Sequence, residues 1–194
     1  VVKFFPAEQN GGVAKLKAVA GPYTKLRWMP TGGVNAKNLM DYLSFDKIVA
    51  CGGTWMCKSD DIKAGNWEKI EALTREAVTN MLGFTLGHVG INCENVDEAA
   101  RTAKLIASIF GMAANEGNSS WFVGQKEFEV MKKTGRGTHG HIAIKTNTLD
   151  RAIAHLKMQG VEFDDDSLVV KNGKSTAIYL KDEIAGFGIH LVQK

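Results

Sequence analysis

A strand that occurs twice constrains this chain more than any other feature. Gly87-His88-Val89-Gly90-Ile91 returns as Gly140-His141-Ile142-Ala143-Ile144, and each copy opens a strand, then a helix, then further strands. Alternation along the first copy, a strand expected over 85–92, puts His88, Gly90 and Asn92 on one face and Val89 and Ile91 on the other. A late strand of each copy carries one polar residue between apolar neighbours. These are Glu129 in Phe128-Glu129-Val130, 41 residues after His88, and His190 in Ile189-His190-Leu191, 49 residues after His141. Two copies of one unit paired side by side bring equivalent positions to one concave face, so His88, Glu129, His141 and His190 are four candidate metal ligands. A lone strand histidine is more often an ordinary core or surface residue. His155 and His139 read that way, although His139 shares a face with His141 and could replace it. The competing reading of the cup is a metal-free cleft that takes a small molecule or nothing.

The remaining elements of this half fit the duplication. Asn95 is placed to cap a helix through Phe110 with Val96, Ala99, Ala103, Ile106 and Phe110 as its apolar stripe, and Gly111 stops it. Thr148 is placed to cap a second helix through Met158, stopped by Gly160. Short strands are expected near 120–123, 127–130, 167–170, 176–180 and 188–192, with Trp121 and Phe122 as core. Lys171-Asn172-Gly173-Lys174 reads as a hairpin turn.

This half resembles the vicinal oxygen chelate family (glyoxalase I, extradiol dioxygenases, fosfomycin-resistance proteins), whose module is a duplicated βαβββ unit. The resemblance covers 84–194 and implies ligands from the first and last strands of each module: His88, Glu129, His141 and His190. A glyoxalase-type pattern would have a carboxylate where His190 stands, so the resemblance reaches metal binding rather than glyoxalase I itself. Three imidazoles and one carboxylate suit a divalent Zn, Ni, Co, Mn or Fe ion.

The first half has a different rhythm: strand, helix, strand, helix, strand, helix. Its strands are expected at the opening Val1-Val2-Lys3-Phe4-Phe5, at 26–29 and at 47–50, and its helices at 13–20, at 36–43 and after Asn66, which is placed to cap the last of them. Short connections between such elements imply a parallel sheet with helical crossovers. The second and third strands end in Pro30-Thr31-Gly32-Gly33 and Cys51-Gly52-Gly53-Thr54-Trp55. Paired glycines at the C-terminal ends of neighbouring parallel strands let backbone N–H groups approach an anion. Lys3 stands in the middle of a strand that reads as buried. There it either reaches past the strand end into water or becomes a deprotonated carbonyl nucleophile.

Lys3-Phe4-Phe5-Pro6-Ala7-Glu8, Pro30-Thr31-Gly32-Gly33 and Gly52-Gly53-Thr54-Trp55 together resemble the class I 2-keto-3-deoxy-6-phosphogluconate / 4-hydroxy-2-oxoglutarate aldolase family, over about 1–82. The resemblance implies a Schiff base between Lys3 and pyruvate, with no cofactor. It gives carboxylate and phosphate binding to Thr31, Gly32 and Gly33, and completion of the phosphate site to Gly52, Gly53 and Thr54, where the family more often has serine. The family fold is an eight-stranded α/β barrel, and these motifs lie on its last three strands. The glutamate acid/base of an early strand and the arginine of the substrate pocket have no counterpart here. Three strands cannot close a barrel, so their inner faces should be exposed or paired with another copy. Opening mid-strand without Met, the chain reads as the C-terminal part of a longer protein and, taken alone, as a poor aldolase.

The expected class is therefore α/β plus α+β: the last three βα units of a TIM barrel over 1–82, then a duplicated chelate domain over 83–194. A 2-keto acid substrate and a homo-oligomer follow from the two resemblances. A formal charge of +3 with no basic run argues against nucleic acid, and no apolar run is long enough to span a bilayer. Cys51, Cys57 and Cys93 lack metal-ligand spacing and read as reduced thiols of a cytoplasmic protein. A second functional reading makes the chelate domain the working part, as a metal-dependent isomerase, lyase, dioxygenase-like or small-molecule-binding module.

Overall fold

The computed structural model describes residues 1–194. It divides into two compact units, Val1–Gly83 and Phe84–Lys194, both of mixed helix and strand.

The first unit runs β1 (Val2–Phe4), α1 (Gly12–Ala20), β2 (Trp28–Pro30), α2 (Leu39–Leu43), α3 (Ser59–Lys63) and α4 (Trp67–Leu82). β1 and β2 are parallel, with Lys3 opposite Met29. The third stretch pairs in the same direction, but only through the bridges Trp28–Ile48 and Thr31–Gly52. The strand expected over 47–50 is interrupted because Pro30, whose carbonyl accepts from the Gly52 N–H at 2.9 Å, has no N–H for the next rung. Leu16, Trp28, Leu39, Tyr42 and Ile48 form the buried centre between these strands and the helices.

Three expectations for this unit need correction. β1 is not buried: Val2 and Lys3 are exposed and only Phe4 is partly covered, because β1 has a strand neighbour on one side alone. The helix expected from residue 36 begins at Leu39. Ahead of it Asn38 accepts from the Asn35 N–H and Asn35 from the Lys37 N–H, a local turn that competes with helix. Asn66 does not cap α4, since its amide donates to Asp61 at 3.1 Å instead. α3 was not foreseen; at five residues it is too short for a periodic signal.

The second unit is two copies of βαβββ. The first holds β3 (Thr85–Asn92), α5 (Val96–Phe110), β4 (Ala114–Glu116), β5 (Ser120–Val123) and β6 (Phe128–Met131). The second holds β7 (Gly140–Thr146), α6 (Leu149–Met158), β8 (Phe163–Lys171), β9 (Lys174–Leu180) and β10 (Phe187–Gln193). All eight strands join one sheet in the order β4-β5-β6-β3-β7-β10-β9-β8. β3 and β7 meet antiparallel at its centre, with Gly90 opposite His141 and His88 opposite Ala143. β6 lies parallel to β3 with Glu129 opposite Gly90, and β10 lies parallel to β7 with His190 opposite Ala143. The register is reciprocal, as a pseudo-twofold axis between β3 and β7 requires.

Asn95 caps α5 by accepting from the Glu98 N–H at 2.9 Å. Thr148 makes no such bond to α6; the Leu149 N–H is taken by the Gln193 side chain of β10, also at 2.9 Å. Ala99 and Ala103 of α5 are fully buried against Val123 and Val130. Val96 and Phe110, assigned to the same stripe, are instead 52% and 64% exposed. A 15-residue helix spans about 22 Å, and the three- and four-residue strands β4, β5 and β6 beneath it are shorter than that. β4 itself was missed because three residues are too few for an alternation to show.

Candidate metal centre and the diglycine turns

The central strands deliver four side chains to one point. His88 Nε2 lies 3.0 Å from His141 Nε2 and 3.2 Å from Glu129 Oε2, and His141 Nε2 is 3.5 Å from the same oxygen. His190 completes the group: one ring nitrogen from each of the three histidines lies within 4.8 Å of the others. Two N–H groups cannot face each other at 3.0 Å, so at most one of His88 and His141 carries its proton there. His190 Nε2 is buried and has no hydrogen-bond partner. A buried polar atom left unpaired costs roughly 1–3 kcal/mol. Three convergent nitrogens and a carboxylate oxygen are the donor set of a divalent cation, and such an ion would satisfy that orphaned atom.

The electrostatics follow from the packing. The His141 and His88 imidazoles beside it, with a hydrogen bond from Ser120, hold the Glu129 carboxyl well below its ordinary range despite its partial burial. Burial, reinforced by His141 and His88, pulls His190 down to about 3, so this imidazole stays neutral and its lone pair free. Tyr179 of β9 stacks on His190 with 4.5 Å between centroids and 12° between planes, and the Arg136 guanidinium lies 4.8 Å from the Tyr179 ring centre. Opposite His141 stands Gly90, where a Cβ would come within 2.1 Å of the imidazole. Glycine is required there because the ring occupies that space.

His139 is not part of the group: its ring rests on Phe187 at 5.7 Å. His155 is half-buried and pairs with Gln159. Trp121 packs against the α5 core cluster. Sequence reasoning passed over Ser120, Tyr179 and the demand on Gly90. A serine beginning an otherwise apolar four-residue strand was the available signal for the first.

In the first unit the turns lie side by side. The Thr31 N–H donates to the Phe4 carbonyl, and the Thr31 and Gly32 carbonyls accept from the N–H groups of Ala7 and Glu8. The Lys3 motif and the first diglycine turn are thus stitched together. Gly32 and Gly33 have φ of 94° and 82°, values that side-chain-bearing residues rarely adopt. Glu8 fills the space beside Gly33 and accepts a short hydrogen bond from the buried Tyr42 hydroxyl. A Cβ on Gly52 would fall 2.7 Å from Thr31 Oγ1, and one on Gly53 would fall inside the Trp55 ring. Thr31 Oγ1 is buried and unpartnered. Thr54 is exposed, its carbonyl accepting from the Cys57 N–H. Lys3 is also exposed, its ammonium 5.3 Å from the Phe5 ring centre rather than inside an apolar pocket.

Residues 1–73 match the family model for KDPG and KHG aldolase. The 2-dehydro-3-deoxy-phosphogluconate aldolase of Dickeya dadantii (strain 3937) is 50% identical over 76 residues, 39% of this chain and 36% of that protein. The chain thus spans about a third of the length of the curated aldolases it matches. A crystal structure of the KDPG aldolase from Legionella pneumophila, with pyruvate captured as a covalent carbinolamine, is 41% identical over 37% of this chain and 34% of its own, at a TM-score of 0.35. The three motifs of the aldolase-like unit fall within the matched residues. Beyond them, the methylmalonyl-CoA epimerase from Mycobacterium tuberculosis superposes on 58% of this chain and 89% of its own, at a TM-score of 0.43 and 18% identity. A likeness of that size carries no weight beside the module topology. No helix is long and apolar enough to cross a membrane, and Cys51, Cys57 and Cys93 are not joined in any disulfide.

Proposed function

We propose that the full-length protein is a class I aldolase, a lyase that cleaves 2-keto-3-deoxy-6-phosphogluconate, 4-hydroxy-2-oxoglutarate or both to pyruvate and an aldehyde. The observation that carries this is 50% identity to an aldolase across the stretch holding Lys3 and both diglycine turns. On this reading the unit is the last three βα units of an α/β barrel. The Lys3 amine attacks the C2 carbonyl and water leaves to give an iminium. A base removes the C4 hydroxyl proton, the C3–C4 bond breaks, and its electron pair passes to the iminium nitrogen as an enamine. Protonation and hydrolysis then release pyruvate and the free lysine. On this reading the Thr31 hydroxyl, which is buried with no partner of its own, would hold the carboxylate. The turns at Gly32-Gly33 and Gly52-Gly53-Thr54 offer N–H groups to the phosphate. No residue of 1–83 takes the part of the acid/base glutamate, so residues 1–194 alone should be inactive. Borohydride reduction of the full-length protein with pyruvate should add the reduced pyruvyl group to Lys3; an unmodified Lys3 under conditions of turnover ends this reading.

A second reading rests on the unpartnered, buried Nε2 of His190 among two further imidazoles and a carboxylate. We infer that the 84–194 unit binds a divalent cation through His88, Glu129, His141 and His190 and works on a small oxygen-bearing ligand related to the aldolase's substrate or product. The ion would supply Lewis acidity; the protein's part is to hold three imidazoles and an ionised Glu129 together on one face of the sheet. Metal content of the parent against His88→Ala tests it, and equal, negligible metal in both would leave only a binding or pairing role.

A further inference from the structure

The pseudo-twofold axis of the second unit makes its two halves comparable position by position, and one pair of positions differs in a way that the ligands explain. Register across β5 and β6 sets Phe122 opposite Glu129 and Ser120 opposite Met131. Register across β9 and β10 sets Tyr179 opposite His190 and Ala177 opposite Val192. Glu129 and His190 are equivalent, so Phe122 corresponds to Tyr179 and Ser120 to Ala177. Ser120 is fully buried, and its hydroxyl donates to Glu129 Oε1 at 2.7 Å, while the other oxygen, Oε2, faces His88 and His141.

An imidazole ligand offers one nitrogen to the centre; a carboxylate offers two oxygens. A carboxylate free to rotate would present both, taking a second coordination position, or leave one oxygen buried without a donor. The half that carries the carboxylate has a hydroxyl at the position where the half that carries the imidazole has a methyl group. We propose that Ser120 is a positioning residue for the metal centre. It ties up Oε1 so that Glu129 ligates through Oε2 alone, which keeps one coordination position open for an oxygen ligand. Outer partners of ligating groups typically contribute about 10–100-fold in metal affinity. The inference rests on the second reading above.

The test is a Co²⁺ titration of the full chain, followed by its visible absorption bands, for five proteins: parent, Ser120→Ala, Ser120→Thr, Glu129→His, and the double substitution of Ser120→Ala with Glu129→His that copies the His–Ala arrangement of the other half. Ser120→Ala should weaken Co²⁺ binding about 10-fold or more and lower the band intensity as Glu129 turns bidentate and the coordination number rises. Ser120→Thr, which keeps the hydroxyl, should retain the parent spectrum. In the Glu129→His background Ser120→Ala should change neither affinity nor spectrum, whereas a merely structural serine would cost the same in both backgrounds. Equal losses in the two backgrounds, or a parent-like affinity and spectrum in Ser120→Ala, would overturn the role of Ser120 while leaving the metal reading intact. A parent that takes up no Co²⁺ would overturn both.

Discussion

The two units differ in opposite respects. The first is half identical in sequence to known aldolases over the matched stretch, yet Lys3 is exposed and its opening strand has a neighbour on one side only. The second lies beyond the residues matched to the aldolase family, yet three imidazoles and a carboxylate converge on the central strands of its continuous eight-stranded sheet. Identity reports descent, residue by residue. Geometry reports which chemistry a given stretch can assemble by itself, and that depends on whether the sheet that holds the residues is complete.

The sharpest way to break the contrast is at Lys3. In the full-length protein Lys3→Ala should abolish the borohydride-trapped pyruvate adduct and lower aldol cleavage by roughly 10⁴-fold or more, as expected for removal of a covalent nucleophile, with metal content unchanged. Loss of metal in that variant would tie the units together in a way this account does not contain. Next in size, His141→Ala, read by equilibrium metal binding, should lower affinity by more than ~100-fold, since a ligand counts for more than its outer partner. Retained affinity there would mean that the histidines do not hold the ion.

The pH response of the metal-free protein sharpens the comparison further. His190 is held at about 3, against its ordinary value of 6.5. Below pH 6.5 the unfolded chain protonates this residue and the folded chain does not, so stability falls as pH drops from about 6.5 toward 3. At about 1.4 kcal/mol per unit, acidification from pH 7 to pH 5 should cost on the order of 2 kcal/mol, measurable by urea denaturation at each pH. His190→Gln should flatten that slope; an unchanged slope would mean that the burial of this imidazole is not what couples the unit to acid. Glu129, held low by its hydrogen bonds, acts in the same sense: its stabilisation is complete above its unfolded value and is lost as pH falls toward its folded one.

Smaller effects test the local reasoning. Asn95→Ala should cost about 1 kcal/mol by loss of an N-cap. Thr148→Ala should cost no more than a few tenths of a kcal/mol, because Gln193 already bonds the first N–H of α6. Thermal or chemical denaturation separates the two, and equal costs would undercut the assignment of Gln193 as the cap.

These contrasts also mark what the sequence could and could not disclose. The repeated Gly-His strand made the symmetry of the second unit readable, and β3 has the same bounds in the structure as in the alternation. The caps at Asn66 and Thr148 were misread because residue type alone does not reveal a competing partner, here Asp61 and Gln193. Ser120 and Tyr179 were invisible for a related reason. Each matters through the residue it faces across a strand pair, and that register appears only when the sheet is assembled. In the first unit the motifs were legible, but the exposure of β1 was not, since it follows from a strand pairing on one side only, which appears when the sheet is assembled.

The most direct test of the central contrast is X-ray absorption at the zinc edge on residues 1–194 loaded with one equivalent of Zn²⁺. A self-sufficient cup should give a shell of nitrogen and oxygen at about 2.0–2.1 Å, with outer scattering from three imidazole rings that falls to two in His88→Ala. A shell of water oxygens, or three-ring scattering that survives His88→Ala, would contradict it.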